Sequence, residues 1–147
     1  MDRAKERIAQ CLGCKPNEMV FTAGGTESDN LAIRGVVHAL KQRGNHIITT
    51  AIEHHAVLNT CKALASEGMK TTYLPVDENG VVRMDALMQN LTPETVLVSV
   101  MHANNETGVL QPITQIAQVV RERGIVFHVD AVQSAGKVPL ALHQLGA

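Results

Sequence analysis

Short apolar segments alternate with helical patterns along the chain, and this alternation restricts the fold more than any other feature. Strands connected through helices form parallel pairs with right-handed crossovers. The sequence therefore predicts an α/β domain with a mostly parallel sheet and flanking helices, a three-layer α/β/α arrangement. The predicted strands are 18–22, 46–50, 71–74, 95–101 and 125–130, and the predicted helices are one ending at 12 and those at 26–43, 55–67, 84–91 and 113–123.

Composition limits the classes of function. The 147 residues suit one domain, with 45% hydrophobic residues and a net charge of −1. No basic stripe indicates nucleic-acid binding, and 2% aromatic residues argue against a base-stacking surface. No apolar run of roughly 18 residues predicts a membrane span, and the charged start shows no secretory signal. We expect a cytoplasmic protein.

The three cysteines are odd in number, which favours a reducing compartment. Cys11 and Cys14 have the C-x-x-C spacing of a zinc or dithiol site, but no second pair accompanies them and no strand precedes them. We treat both, and Cys61, as structural.

Polar and ionisable residues follow four of the predicted strands, whereas the strands themselves are apolar. In sheets of this kind, ligands bind in the crevice outside the carboxyl ends of the strands. The distribution therefore predicts a ligand site at this edge, built from residues 22–27, 51–55, 102–108 and 130–133.

Two of these segments have a charge preference. Asp130 ends an apolar run, where a carboxylate is costly unless a cation such as a protonated pyridine nitrogen meets it; the alternative is an Asp that caps a turn. Gly24, Gly25 and Thr26 directly open a helix, which favours a phosphate, and the alternative is a tight turn with a Thr cap. Thr26 and Asp29 have the spacing of a capping box.

The remaining candidates are a histidine and three amides. His54 could stack on a heteroaromatic ring and exchange protons, or it could simply cap a surface helix. Asn104 or Asn105, together with Gln133, could donate to a phenolate oxygen, although loop Asn residues often only form turns. A metal site at 53–55 is disfavoured because adjacent side chains point apart, and no Ser-His-Asp order indicates a hydrolase triad.

Taken together, these segments resemble a known family. The matching stretches are 21–33 (FTAGGTESDNLAI), 53–58 (EHHAVL), 102–108 (HANNETG) and 128–136 (HVDAVQSAG), in order and with family-like spacing. They resemble NifS/IscS-like cysteine desulfurases, class V aminotransferase-type enzymes that use pyridoxal 5′-phosphate. The Asn-Asn-Glu-Thr-Gly loop is more typical of this group than of the other desulfurase branch.

The resemblance implies roles for individual residues. It implies an enzyme that converts L-cysteine to L-alanine and passes the sulfur to a protein cysteine as a persulfide. The sulfur would go to iron–sulfur cluster assembly or tRNA thiolation, through a sulfur-acceptor or scaffold protein, and the enzyme would be a homodimer. The implied contacts are the cofactor phosphate for Gly25 and Thr26, ring stacking and proton relay for His54, the phenolic oxygen for Asn105 and Gln133, and the ring nitrogen for Asp130.

The resemblance also has gaps. The family's cofactor-bearing lysine and persulfide cysteine have no counterpart here, and Lys137 lies in a Gly-Lys-Val-Pro continuation that does not match that lysine. We therefore expect residues 1–147 to be the central part of a cofactor-binding large domain, without the amino-terminal segment or the small domain, and inactive alone. The alternatives are another class V enzyme, such as a selenocysteine lyase or aminotransferase, a non-catalytic association module, and a nucleotide-binding α/β module.

Overall fold

Helices and strands alternate in the computed structural model, which describes residues 2–139 and 142. The end of the predicted tail, residues 140–141 and 143–147, lies outside the described residues. The elements in chain order are α1 Asp2–Leu12, a 3-10 turn Pro16–Glu18, α2 Gly25–Leu40, β1 His46–Thr50, α3 His55–Ala65, β2 Lys70–Leu74, α4 Met84–Asn90, β3 Thr95–Ser99, α5 Ile113–Glu122 and β4 Val126–His128.

The four strands form one parallel sheet in the order β2-β1-β3-β4. From β1 the chain moves outward to β2, and from β3 it moves outward in the opposite direction to β4. The direction of winding therefore reverses between β1 and β3. In open α/β sheets this reversal separates the connecting segments and leaves a crevice at the carboxyl ends of the two central strands.

Helices cover both faces of the sheet, which confirms the predicted three-layer arrangement. Neighbouring strand residues point to opposite faces, so Ile47 packs with α2 and α3 while Ile48 packs with α4 and α5. Cys61 is fully buried in the first of these cores. Every residue of β1 and β3 is buried, which explains the almost continuous apolar run at Thr95–Met101.

The predicted strand at 18–22 is wrong. Met19 has extended backbone angles, with φ −102° and ψ 136°, but among the described residues no strand pairs with this segment. Val20 and Phe21 are 72% and 48% exposed. Local sequence produced the extended conformation, whereas a strand also requires a neighbour to accept its backbone hydrogen bonds.

The predicted capping box at the start of α2 is also wrong. The helix begins at Gly25, and its N-cap Gly24 has no side chain to cap it. Instead, the Glu27 carboxylate accepts a hydrogen bond from the Ala23 amide at 2.6 Å. Asp29, the expected capping partner, is buried on the side of α2 that faces the sheet edge.

Within residues 2–139, no helix is both long and apolar enough to cross a membrane.

Candidate active site

The segments that follow β1, β3 and β4 meet the start of α2 in one cleft, whose empty space of about 500 Å³ includes open solvent at its mouth. The cleft contains the six residues to which the family resemblance assigned roles, namely Gly25, Thr26, His54, Asn105, Asp130 and Gln133, whereas the candidates Gly24 and Asn104 do not line it. Four further residues line it that sequence reasoning did not nominate: Asp29, Met101, Ala103 and Val132.

Hydrogen bonds across the β1–β3 reversal hold the floor of the cleft. One Glu53 carboxylate oxygen accepts from the Thr50 hydroxyl at 2.6 Å and from the Met101 amide at 2.9 Å. The Asn104 side chain donates to the Ile52 carbonyl at 3.1 Å. The turn after β1 and the loop after β3 are therefore fixed to each other by buried side chains rather than by strand pairing.

The two adjacent asparagines have different environments. Asn104 is buried, and its side-chain oxygen accepts from the Glu106 amide, the Thr107 amide and the Thr107 hydroxyl at 3.0, 2.9 and 3.1 Å. These bonds shape the loop. Asn105 is exposed and lines the cleft, so only its amide is available to a ligand there.

The start of α2 has the properties of an anion site. The first helical bond runs from the Ser28 amide to the Gly24 carbonyl at 3.1 Å, so the amides of Gly25 and Thr26 precede it and have no backbone partner among the described residues. The exposed Thr26 adds a hydroxyl. A Cβ on Gly25 would lie 2.7 Å from Val132 Cγ2, so glycine lets α2 approach the turn after β4.

Asp130 presents one carboxylate oxygen that is still available. Its backbone carbonyl accepts from the His102 amide at 2.9 Å, and its Oδ1 accepts from the Val132 amide at 2.9 Å. Within the described part of the chain, the side chain makes no other hydrogen bond, although it is only 7% exposed. Gln133 accepts from Lys137 Nζ at 2.7 Å, which leaves its amide protons for other partners.

His54 is the N-cap of α3, and its Nδ1 accepts a hydrogen bond from the Ala56 amide at 3.1 Å. In the neutral ring the proton is therefore on Nε2. The His54 and His55 rings are tilted by 54° with centroids 6.2 Å apart, so they do not share a direction of approach. Among residues 2–139, no group of three potential ligands converges on a metal position.

Two buried carboxyls lie beside the cleft. Burial raises the pKa of Asp29 to about 6, with a further increase from the charge of Asp130 and an opposing effect of His54. Burial also raises the pKa of Glu53 to about 7, against its hydrogen bonds from Thr50 and Met101. A sequence signal for Asp29 did exist, because it lies three residues after Thr26 and therefore on the same helical face.

Asp29 lies near a half-buried histidine of β4. Its Oδ1 lies 3.6 Å from His128 Nε2, and His128 Nδ1 lies 2.8 Å from the Ser99 hydroxyl. Ser99 is fully buried, so this Ser-His-Asp series presents no nucleophile to a substrate. His128 was detectable from the sequence, because it lies two residues before Asp130 in the predicted strand 125–130 and therefore on the same predicted face.

A family model described as "Aminotransferase class-V" matches residues 1–147. A relative from Dictyoglomus turgidum, named cysteine desulfurase IscS, is 48% identical over 146 residues, which cover 99% of this chain and 37% of the relative. One of the same name from Clostridium botulinum strain Hall is 52% identical over 137 residues, covering 93% of this chain and 34% of the relative. The chain thus spans little more than a third of these relatives.

Solved structures also resemble this chain over nearly its whole length. A structure described as a NifS-like protein superimposes with a TM-score of 0.94 at 42% identity, covering 98% of this chain and 40% of its own. A second, described as SspA in complex with cysteine, has a TM-score of 0.93 at 41% identity, covering 98% of this chain and 42% of its own. Similarity at this level extends over sequence and backbone together.

Proposed function

Because the chain belongs to the class V aminotransferase family, we propose that it forms the pyridoxal-phosphate-binding part of a cysteine desulfurase. The observation that carries the proposal is the convergence of the six predicted residues on one cleft. The relatives that cover nearly all of this chain bear the desulfurase name, which supports this activity over other class V reactions.

The donors and acceptors of the cleft fit pyridoxal 5′-phosphate. The unpaired amides at the start of α2, with the Thr26 hydroxyl, suit its phosphate. The available oxygen of Asp130 suits the protonated ring nitrogen, and the amides of Asn105 and Gln133 suit its phenolic oxygen. His54 offers an imidazole ring that can stack beside the cofactor ring, and its Nε2 atom can exchange a proton there.

The bound cofactor would supply an electron sink for bond changes at the substrate α-carbon. Asp130 would keep the ring nitrogen protonated, and His54 would hold or move a proton close by. The substrate would be L-cysteine and the product L-alanine, with the sulfur accepted as a persulfide by a protein cysteine. In the cell we place this activity in a cytoplasmic homodimer that delivers sulfur to an acceptor or scaffold protein for iron–sulfur clusters or tRNA thiolation.

A binding measurement tests the cofactor assignment. Pyridoxamine 5′-phosphate is a suitable probe because it binds without forming a covalent bond to a lysine. We expect Asp130→Asn and Thr26→Val each to weaken its binding about tenfold or more, from loss of a charge-assisted contact and of a phosphate donor. Asp85→Asn is the matched control, since Asp85 is exposed, pairs with Arg83 and does not line the cleft. Equal affinity of all four proteins would reject the assignment.

A chimera tests the reaction. The 147 residues would replace the matching segment of the Dictyoglomus relative, and products from L-cysteine would be measured with a reductant present. We expect L-alanine and sulfide in equal amounts, with both abolished by Asp130→Asn in this segment. Alanine from L-selenocysteine but not from L-cysteine, or amino transfer to a keto acid alone, would assign the chain to a different class V activity.

A further inference from the structure

We propose that Asp29 belongs to the cofactor site and releases a proton to solvent when the protonated pyridine ring binds against Asp130. This inference rests on the proposed function and adds a residue to it. Asp29 lines the cleft together with Asp130 and is 5% exposed. It lies one turn beyond Thr26, at the proposed phosphate site, so α2 places a hydroxyl and a carboxyl along the same wall of the cleft.

Asp29 has no strong cationic partner among the described residues. Its nearest partner is His128 Nε2 at 3.6 Å, which is longer than a hydrogen bond. His128 is itself held by Ser99 at 2.8 Å, and burial lowers its pKa, which disfavours the charged form of its ring. No Lys or Arg of residues 2–139 lines the cleft.

The groups facing Asp29 come from each element packed around it. Asp130 follows β4 and raises the pKa of Asp29, whereas His54 at the start of α3 lowers it, and burial is the largest effect. Glu53, in the turn after β1, interacts with both of these aspartates, because the charges of Asp130 and Asp29 contribute to its raised pKa. Three carboxyls thus share a region without a fixed cation, so Asp29 and Glu53 retain protons near pH 6 in the free protein.

A cation placed against Asp130 changes this balance. It offsets the repulsion that Asp29 experiences from Asp130, and it interacts favourably with the ionised form of Asp29. The O–H bond of Asp29 then breaks, its electron pair stays on the carboxylate and the proton leaves to buffer. By linkage, this segment binds the charged ring more tightly as the pH rises through the titration range of Asp29.

Calorimetry of pyridoxamine 5′-phosphate binding measures this proton directly. Titrations of the purified chain at pH 5.5, in two buffers that differ in ionisation enthalpy, give the number of protons released. We compare the parent chain with Asp29→Asn, with Asp85→Asn as a surface Asp-to-Asn control. The probe's own ionisation is common to all three proteins, so the differences between them report on the protein.

We expect the parent chain and Asp85→Asn to release about half a proton or more per probe beyond Asp29→Asn. At pH 7.5 the difference should vanish. Equal release by the parent chain and Asp29→Asn would overturn the inference and leave the proposed function intact. Absence of probe binding by the parent chain would overturn both.

A second measurement does not depend on whether Asp29→Asn folds. In the parent chain with ¹³C-labelled aspartate, the Asp29 carboxyl signal should titrate near pH 6 in the free protein and at lower pH in the complex. A titration that the probe leaves unmoved would overturn the inference. A structural role for Asp29 alone predicts no such movement.

Discussion

At the scale of single residues, the two glycines at the start of α2 have different physical roles. A Cβ on Gly24 would meet nothing within 4 Å, and its φ of 167° is extended backbone that other residues also adopt. A Cβ on Gly25 would contact Val132 Cγ2 at 2.7 Å. Only Gly25 is therefore required by packing, and what it permits is the close approach of two walls of the cleft.

We predict that Gly25→Ala weakens pyridoxamine 5′-phosphate binding about tenfold, because the added methyl group displaces Val132 into the cleft. Gly24→Ala should bind like the parent chain. Combining Gly25→Ala with Val132→Ala should restore most of the affinity. Fluorescence titration with the probe measures each case, and unchanged binding by Gly25→Ala would show that Val132 moves away freely.

The adjacent asparagines provide a second comparison. Asn104→Ala removes one buried donor and one acceptor that together join the loop after β3 to itself and to Ile52. We predict a loss of about 2 kcal/mol in the free energy of unfolding, measured in urea. Asn105→Ala should change stability by less than about 0.5 kcal/mol yet weaken probe binding. The reverse pattern would mean that the two side chains exchange roles in solution.

At the scale of elements, Glu53 joins the turn after β1 to the end of β3. Its second oxygen is buried without a hydrogen-bond partner in the part of the chain that the structure describes. The folded protein holds the Glu53 proton up to about pH 7, whereas the reference pKa is 4.5. Raising the pH through this interval therefore removes stability, because the unfolded chain has already released the proton.

Glu53→Gln should isolate this effect. We predict nearly equal stability of the variant and the parent chain at pH 5, and an advantage of about 2 kcal/mol for the variant at pH 8. The lowered pKa values of His46, His102 and His128 are common to both proteins and cancel in the difference. A pH-independent difference between the two denaturation curves would contradict the assignment.

The sequence predicted elements well where local pattern and burial agree. β3 could be predicted because a strand covered on both faces is almost continuously apolar, and β1 because it is rich in β-branched residues. The segment at 18–22 carries the same apolar signal but has no neighbour among the described strands, and pairing is not a local property. Leu31 of α2 is 56% exposed although it is apolar, because helical periodicity indicates the direction of the buried face and not how wide that face is.

The difference between local pattern and tertiary packing also explains which residues of the cleft the sequence predicted and which it missed. Residues after strand ends were predictable because the edge of a parallel sheet gathers them. Asp29 was assigned to a cap, because a short polar residue near a helix start usually has that role. Its burial depends on how α2 lies over the sheet, which no local pattern specifies. The roles assigned to individual side chains remain predictions until binding is measured.

At the scale of the whole molecule, stability should be concentrated in the central strands. All residues of β1 and β3 are buried, whereas β2 and β4 include exposed positions. We predict that hydrogen exchange of the backbone amides is at least about tenfold slower in β1 and β3 than in β2 and β4. Exchange measured by NMR would decide this, and uniform protection across the four strands would contradict it.

The bond from the Met101 amide to Glu53 joins residues that are 48 positions apart in sequence. On the ribosome, β1 and its turn therefore emerge long before the residues that complete the cleft. Until Met101 arrives, Glu53 is hydrated and ionises as an ordinary acid. The capture of the vitamin B6 coenzyme that we propose therefore requires that Asp130 has also left the exit tunnel.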